Sequence, residues 1–455
     1  MLINISGSSG VGKTTVAHMF LIILSSKNKK VLHLSGDDLH KWDRSSLNWE
    51  NITHLNSDAN NLNLGKNQLM DLMNGSPIHR RIYNHESGKF DKPKKIKPPD
   101  MIINEGLHAL YDDDVCKLAD LNIFINTDKE LKIEWKLNRD VESRGYTKDQ
   151  VMLIMRTREI DEKNYICPQI KNADVVFNFS KKKYKTVDLN YKLITKSNDE
   201  LLKKLKLFYE LHKHFLLTSR SLSFEYDLIQ GAGGNISYKF EDKIIISSSG
   251  YRMSDISMLN GYSVCNLSDL SIINDKQKKP SMELETHARI KEPIVLHTHP
   301  IYLNTILCST ESKEIISNIL HDYTYIPYCS PGKELNDNFP DEYNKTILLE
   351  NHGLIYCGGS FDEVLNSSLK INKLCKDWLI RNAKTFTSYS TKYEKDKIDR
   401  FLFPDSVVLT EENNSINNYI ILIQKEAGLI PKYLNSIEID KIRNMNSENY
   451  RKSLT

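Results

Sequence analysis

Leu2-Ile3-Asn4-Ile5-Ser6-Gly7-Ser8-Ser9-Gly10-Val11-Gly12-Lys13-Thr14-Thr15 opens the sequence and decides the fold of its first half. A short apolar strand runs into Gly-x-x-x-x-Gly-Lys-Thr, and an apolar-periodic helix follows through Val16, Ala17, Phe20, Leu21 and Leu24. That is the strand-loop-helix setting of a phosphate-binding loop. Gly7, Gly10 and Gly12 allow positive φ and close backbone approach to a polyphosphate, whose charge meets loop N–H groups and the positive end of the helix. Lys13 supplies a point charge to the β- and γ-phosphates, Thr14 offers a hydroxyl to Mg2+, and Thr15 continues the same turn. The expected ligand is a nucleoside triphosphate, ATP, with magnesium.

At 455 residues the chain exceeds one ordinary core, so two to three domains are expected. With 40% hydrophobic and 27% charged residues its composition is that of a soluble globular protein, and a net charge of +3 selects no anionic partner. Lysine-rich runs at 92–97 and 181–185 lack interleaved aromatics and read as solvated surface, so nucleic-acid binding is not expected. Seven cysteines without a C-x-x-C pair indicate neither a disulfide framework nor a zinc ribbon, which fits a reducing compartment. With no signal peptide ahead of the first strand and no membrane-spanning apolar run, the expected location is cytoplasmic, with no membrane partner.

Beyond the first helix, Val31–Leu34 reads as a second parallel strand, followed by Ser35-Gly36-Asp37-Asp38-Leu39-His40-Lys41. Loops at the carboxyl ends of parallel strands carry the chemistry of doubly wound sheets. One of the two aspartates there can accept the proton of an attacking hydroxyl, although N-capping by either satisfies the same pattern. Arg80, Arg81 and Tyr83 are placed either to meet an acceptor substrate or to be solvated. The strand Met101–Asn104 ends in Glu105-Gly106-Leu107-His108, where Glu105 can orient the magnesium ion. A strand at 121–125 and a helix at 129–138 then lead to Arg139-Asp140 and Arg144-Gly145, arginines that a closing lid would bring over the triphosphate.

Together, in this order, these pieces resemble the phosphoribulokinase and uridine kinase family over about residues 1 to 180, and Arg156, Tyr165, Pro168 and Ala173-Asp174 continue the pattern. The resemblance implies a P-loop, doubly wound parallel sheet. It also implies Asp37 as catalytic aspartate beside Lys13, Glu105 as the strand-end carboxylate, and Arg139 and Arg144 as lid arginines. The histidine three residues after Asp37 and the Glu-Gly-Leu-His run lean toward phosphoribulokinase, hence a sugar or polyol acceptor rather than a nucleoside. Residues 44–63 match neither group, so the acceptor stays open. The kinase domain is expected at 1–185, a Lys/Asn/Thr-rich linker at 186–204, and a second domain at 205–455.

Gln230-Gly231-Ala232-Gly233-Gly234-Asn235-Ile236-Ser237 is a second glycine-rich loop without a lysine; Ser247-Ser248-Ser249-Gly250 follows the next strand. The two loops make either a nest for a phosphate monoester or plain hairpin turns. In Ile294-Val295-Leu296-His297-Thr298-His299-Pro300 the two histidines share one strand face. With His352 after another apolar strand they fit a catalytic zinc with an open position, or they are surface imidazoles.

This half resembles the class II aldolase and adducin family over roughly 205 to 410. The likeness rests on Gly234-Asn235-x-Ser237, Ser249-Gly250, Ser281-x-Glu283, His297-x-His299-Pro300, Pro327-Tyr328-x-x-x-Gly332 and His352-Gly353. It implies an α/β/α domain with a mainly antiparallel sheet and Zn2+ on His297, His299 and His352, with Glu283 as acid/base and sometimes a ligand. Gly234, Asn235, Ser249, Gly250 and Ser281 would grip a substrate phosphate, Tyr328 would protonate the aldehyde-derived oxygen, and a homotetramer would form. Zinc would polarise a hydroxyketone and hold its enediolate, so a carbon–carbon bond breaks or forms without a lysine Schiff base. Met282 stands where fuculose-phosphate aldolase has a second phosphate-binding serine, and Glu283 argues against the epimerase branch, where aspartate is usual. Phe401–Asp405 and the end through Asn444-Met445 and Tyr450-Arg451 look like the tail of longer members or a subunit-boundary segment.

The expectation is a bifunctional enzyme in which an ATP-dependent kinase phosphorylates a carbohydrate that a zinc aldolase then cleaves, or that the aldolase builds in reverse. The alternatives are a uridine kinase-like first half, and an epimerase, decarboxylase or non-catalytic assembly module as the second.

Overall fold

The computed structural model describes residues 1–181, 187–195, 199–273, 279–388, 400–408 and 412–447. Contacts divide the chain into two compact units, Met1–Glu210 and Leu211–Thr455.

The strands of the first unit are β1 (Leu2–Gly7), β2 (Val31–Ser35), the short ribbon strands β3 (Ile78–Arg80), β4 (Tyr83–Asn84), β5 (Lys89–Phe90) and β6 (Lys94–Ile96), then β7 (Met101–Glu105), β8 (Leu121–Thr127), β9 (Val175–Lys181) and β10 (Val187–Leu193). The main sheet has the order β10-β9-β8-β1-β7-β2. All its pairings are parallel except that of β10 on β9. Central β1 is buried along its whole length, as parallel strands covered on both faces are. Its one amide is satisfied by a ladder across the register: Asn104 Nδ2 donates to Asn4 Oδ1 and Asn4 Nδ2 to Asn122 Oδ1, each at 2.9 Å. Glu105 stands opposite both Ile5 and Ser35, so the loops after β1, β2 and β7 leave the sheet side by side.

The stretch expected as a linker, 186–204, carries β10 and the start of the helix Asp199–Phe224. Val187, Leu189, Tyr191 and Leu193 alternate with polar residues in the manner of an edge strand, and lysine and asparagine on the wet face mask that period. Residues 182–186 and 196–198, including most of the 181–185 lysine run, lie outside the described residues.

The second unit contains β11 (Asn235–Phe240), β12 (Lys243–Ser247), β13 (Tyr262–Asn266), β14 (Ile294–Thr298), β15 (Thr324–Ile326), β16 (Thr346–Leu349) and β17 (Gly353–Gly358). They form one sheet, β13-β12-β11-β14-β17-β16-β15, antiparallel except for the β15–β16 pair. The period of two assigns the faces. Leu348 and Leu354 pack with Ile301, Ile371 and Ile420 from three helices, while Ile347, Leu349 and Ile355 pack on the other side with Ile290, Leu335 and Phe339. Helices thus cover both faces, an α/β/α arrangement. Leu402 and Phe403 belong to the first of these cores, so the segment expected as a tail or boundary piece is built into this unit. Tyr450-Arg451 lie outside the described residues. Among the described residues no helix is long and apolar enough to cross a membrane.

Candidate active sites

The loop between β1 and the helix α1 (Lys13–Leu24) closes on Gly12, a left-handed N-cap at φ 91°. A Cβ on Gly7 would fall 2.5 Å from the Ile125 carbonyl oxygen, which leaves no room for a side chain, while one on Gly12 would crowd the Phe179 ring at 3.0 Å and be strained by the positive φ. Thr14 and Thr15 open the first turn of α1, and Lys13 Nζ donates to the Ser8 carbonyl at 2.9 Å. Burial lowers the Lys13 pKa, against the opposing pull of Glu105 and Asp37.

The two aspartates after β2 divide their roles by partner. Asp38 is buried, with Arg80 Nε at 3.0 Å and the Tyr83 N–H at 2.8 Å; Arg80, itself 3% exposed, therefore braces this loop and is not a free acceptor contact. Asp37 is 36% exposed, and its two oxygens lie 3.5 Å from His40 Nε2 and His85 Nε2. Burial raises the Asp37 pKa, but the charges of His40, His85, Lys13 and Arg144 outweigh it and hold the carboxyl below its ordinary value. A Cβ on Gly36 would come within 2.8 Å of Gly106 Cα, so the Asp37 loop and the Glu105 loop touch backbone to backbone. Glu105 is buried, with His33 Nε2 at 3.5 Å.

The helix Lys129–Arg144 presents its cations to the phosphate loop. Asp140 gathers Arg139 Nε at 2.9 Å, Lys136 Nζ at 3.2 Å and Arg144 Nη1 at 3.3 Å. Lys132 Nζ reaches Ser8 Oγ at 3.0 Å and Lys136 Nζ reaches Ser9 Oγ at 3.5 Å, and burial pushes the Lys136 pKa down to about 8. The sequence reading had the arginines but missed these two lysines. Their spacing, 132, 136, 140 and 144, puts them on one helical face and was the available signal.

In the second unit, His297, His299 and His352 are buried, with ligand atoms all within 4.8 Å of one another. His297, in β14, and His299, just past its end, aim their Nε2 atoms at one another, 2.9 Å apart. Outward, His297 Nδ1 meets the Leu354 carbonyl at 3.1 Å and His299 Nδ1 meets Asp405 Oδ2 at 2.9 Å. His352 sits in the tight turn from β16 to β17, after Asn351 at φ 53°. Gly353 follows, where a Cβ would collide with the Thr298 carbonyl and lie 3.0 Å from the His299 ring. Glu283 Oε2 accepts from Asn235 Nδ2 at 2.7 Å, while Oε1, 3.7 Å from His352 Nε2, is buried without a hydrogen-bond donor.

Burial lowers the pKa of His297 to about 4 and that of His352 to about 3, so both are neutral near pH 7. Burial pushes Glu283 up, but His297, His352 and Asn235 outweigh it and keep its carboxyl below the ordinary value. Three converging imidazoles, two of them held neutral by burial, beside an ionised, partly unpaired carboxylate are a donor set that fits zinc.

Gly234, Asn235, Ser249, Gly250 and Ser281 line one open pocket with Glu283 and the three histidines. Met282 lines it too, as do Pro404 and Asp405, which the sequence reading did not place there. Tyr328, expected beside this site, sits elsewhere in the chain. It does not line this pocket, because after β15 the chain turns it into an apolar cluster with Val408, Leu434 and Ile442.

Comparison with known proteins divides the chain in the same way. Residues 2–185 match the Phosphoribulokinase / Uridine kinase family, and residues 213–379 match the Class II Aldolase and Adducin N-terminal domain. Phosphoribulokinase of Synechocystis sp. is 37% identical over 176 residues, which is 39% of this chain and 52% of that protein. The chloroplastic phosphoribulokinase of Spinacia oleracea is 38% identical over 140 residues, 31% and 35% of the two chains. The chain spans about half the length, or less, of these curated relatives. Among solved structures, phosphoribulokinase from Rhodobacter spheroides is 23% identical (40% of this chain, 70% of that one, TM-score 0.33). An L-fuculose 1-phosphate aldolase is 20% identical (40% and 92%, TM-score 0.33). The first half resembles the phosphoribulokinase and uridine kinase family, and the second half resembles the class II aldolase family.

Proposed function

We propose that this chain is a bifunctional enzyme. Its first unit transfers a phosphoryl group from ATP to a hydroxyl of a sugar or polyol, and its second cleaves or forms a carbon–carbon bond in a phosphorylated hydroxyketone, as consecutive steps of one carbohydrate pathway. One observation carries the reading: a phosphate loop facing an open aspartate and a three-histidine pocket with its own carboxylate occur in one chain.

In the first unit, loop N–H groups and Lys13 hold the triphosphate, and Thr14 with Glu105 would hold magnesium, which shields the phosphate charge. Asp37, ionised at neutral pH, takes the proton of the acceptor hydroxyl. Arg139 and Arg144, with Lys132 and Lys136, neutralise charge as the phosphoryl group moves.

In the second unit, His297, His299 and His352 would hold zinc, which when bound polarises the oxygens of the hydroxyketone. Asn235 fixes one oxygen of Glu283, leaving Oε1 to take and return the proton. The Gly234-Asn235, Ser249-Gly250 and Ser281 loops receive the phosphate through hydroxyl and N–H groups. A cytoplasmic location and a homo-oligomer, expected as a tetramer, complete the proposal; the seven cysteines, all unpaired, agree with a reducing compartment.

The test is a screen of ketoses, aldoses, polyols and nucleosides with ATP and magnesium, with and without zinc, following ADP and triose products. ADP release with a carbohydrate and zinc-dependent cleavage of the product are expected. Phosphorylation of nucleosides alone, without cleavage under any metal condition, contradicts it.

A further inference from the structure

Asp405 lies beyond residue 379, where the second family match ends. Even so, its Oδ2 stands 2.9 Å from His299 Nδ1, an ion-pair approach that is not aligned as a hydrogen bond in the metal-free protein, and both side chains are buried, at 4% and 7% exposure. Gly233 makes room for the pair, since a Cβ there would lie 2.7 Å from Asp405 Oδ2 and 3.0 Å from His299 Nδ1. His297 has an outer partner of its own, the Leu354 carbonyl, which accepts a hydrogen bond from Nδ1 at 3.1 Å. The two Nε2 atoms point to one place, 2.9 Å apart, which requires one of them to carry a proton in the metal-free protein; a ring whose Nδ1–H is held by an outer acceptor turns the Nε2 lone pair to an ion that displaces that proton. The same segment is tied to the third histidine: Asn351, just before His352, donates through Nδ2 to the carbonyl oxygens of Leu402 (2.7 Å) and Lys432 (2.6 Å).

We infer that Asp405 is a positioning residue of the metal site, accepting the Nδ1–H of His299 so that Nε2 faces the ion. The C-terminal segment around it is thereby a working part of the pocket. The inference rests on the zinc reading given above. Outer acceptors of this kind orient the ligand and raise its basicity, and their loss weakens metal affinity about 10- to 100-fold.

The experiment compares the full chain with Asp405→Asn, which keeps the shape and loses the charge, and with Asp405→Glu. Zinc affinity is measured by competition with a chromogenic chelator, cobalt(II) spectra report ligand geometry, and thermal melting of the metal-free proteins reports folding. The expected result is a 10- to 100-fold loss of zinc affinity in Asp405→Asn with an altered cobalt spectrum and unchanged metal-free melting, and partial recovery in Asp405→Glu. Nitrogen-15 spectra of labelled histidines in the zinc-loaded wild type, expected to show His299 bound through Nε2 with its proton on Nδ1, decide the matter even where a variant does not fold. Wild-type affinity in Asp405→Asn, or a His299 proton on Nε2, overturns the role of Asp405 alone. Failure of the wild type to bind zinc overturns the metal reading and this inference together.

Discussion

Around the phosphate loop of the first unit stand Lys13, Lys132, Lys136, Arg139 and Arg144, whereas among the described residues no lysine or arginine lines the histidine pocket of the second. That pocket carries two carboxylates, Glu283 and Asp405, and imidazoles that burial keeps neutral. The first arrangement suits a polyanion and the second a cation, as the proposed triphosphate and metal require. The difference shows why glycine loops mean different things in the two halves. Next to lysine and a helix start the loop suits the proposed triphosphate; next to serines it suits the proposed phosphate monoester.

The largest effects come from removing the central charge of either site. Lys13→Met is expected to lower phosphoryl transfer about 10³-fold and leave carbon–carbon cleavage unchanged, while His297→Ala abolishes zinc binding and cleavage and leaves ADP formation unchanged. Steady-state assays of both activities on each variant check this, and loss of both from either change would break the comparison. The next effect separates the neighbouring aspartates. Asp37→Asn is expected to reduce kcat about 10²- to 10⁴-fold with unaltered unfolding. Arg80→Met strands buried Asp38 and costs about 3 to 5 kcal/mol of stability, read by denaturant titration.

A smaller effect tests the histidine turn. Gly353→Ala forces a methyl group against the Thr298 carbonyl and the His299 ring, and about 1 to 3 kcal/mol of stability should be lost together with zinc affinity. The smallest is a pH effect. With its pKa lowered to about 8, Lys136 is charged below that pH and neutral above it. The kcat/KM for ATP should therefore fall several-fold between pH 7 and 9, and Lys136→Met should be lower throughout and lack this fall.

What the sequence made legible was whatever chemistry lies in short contiguous runs. The phosphate loop, Gly36-Asp37, Glu105-Gly106, His297-x-His299 and His352-Gly353 each sit at the end of one strand, where local pattern fixes both the element and the direction of the side chain. Both sheets were expected from the families that these runs resemble. Asp405 was not legible, because it meets His299 only through the packing of Leu402 and Phe403 into a distant core. The choice between Asp37 and Asp38 needed Arg80, which arrives from β3. Tyr328 lay in a matching motif, yet its position depends on the C-terminal cluster it packs against. β10 was hidden by the polar composition of its solvent face.

The most direct test of two separable sites in one chain is a mass-spectrometric time course with ATP, magnesium, zinc and the carbohydrate acceptor, run on wild type, Lys13→Met and His297→Ala. The account predicts ADP, a transient phosphosugar and its cleavage products from wild type, and an accumulating phosphosugar from His297→Ala. Lys13→Met should give no phosphosugar but should cleave phosphosugar supplied to it. A phosphorylated product that persists unchanged in wild type with zinc present, and that no variant or metal condition cleaves, would contradict it.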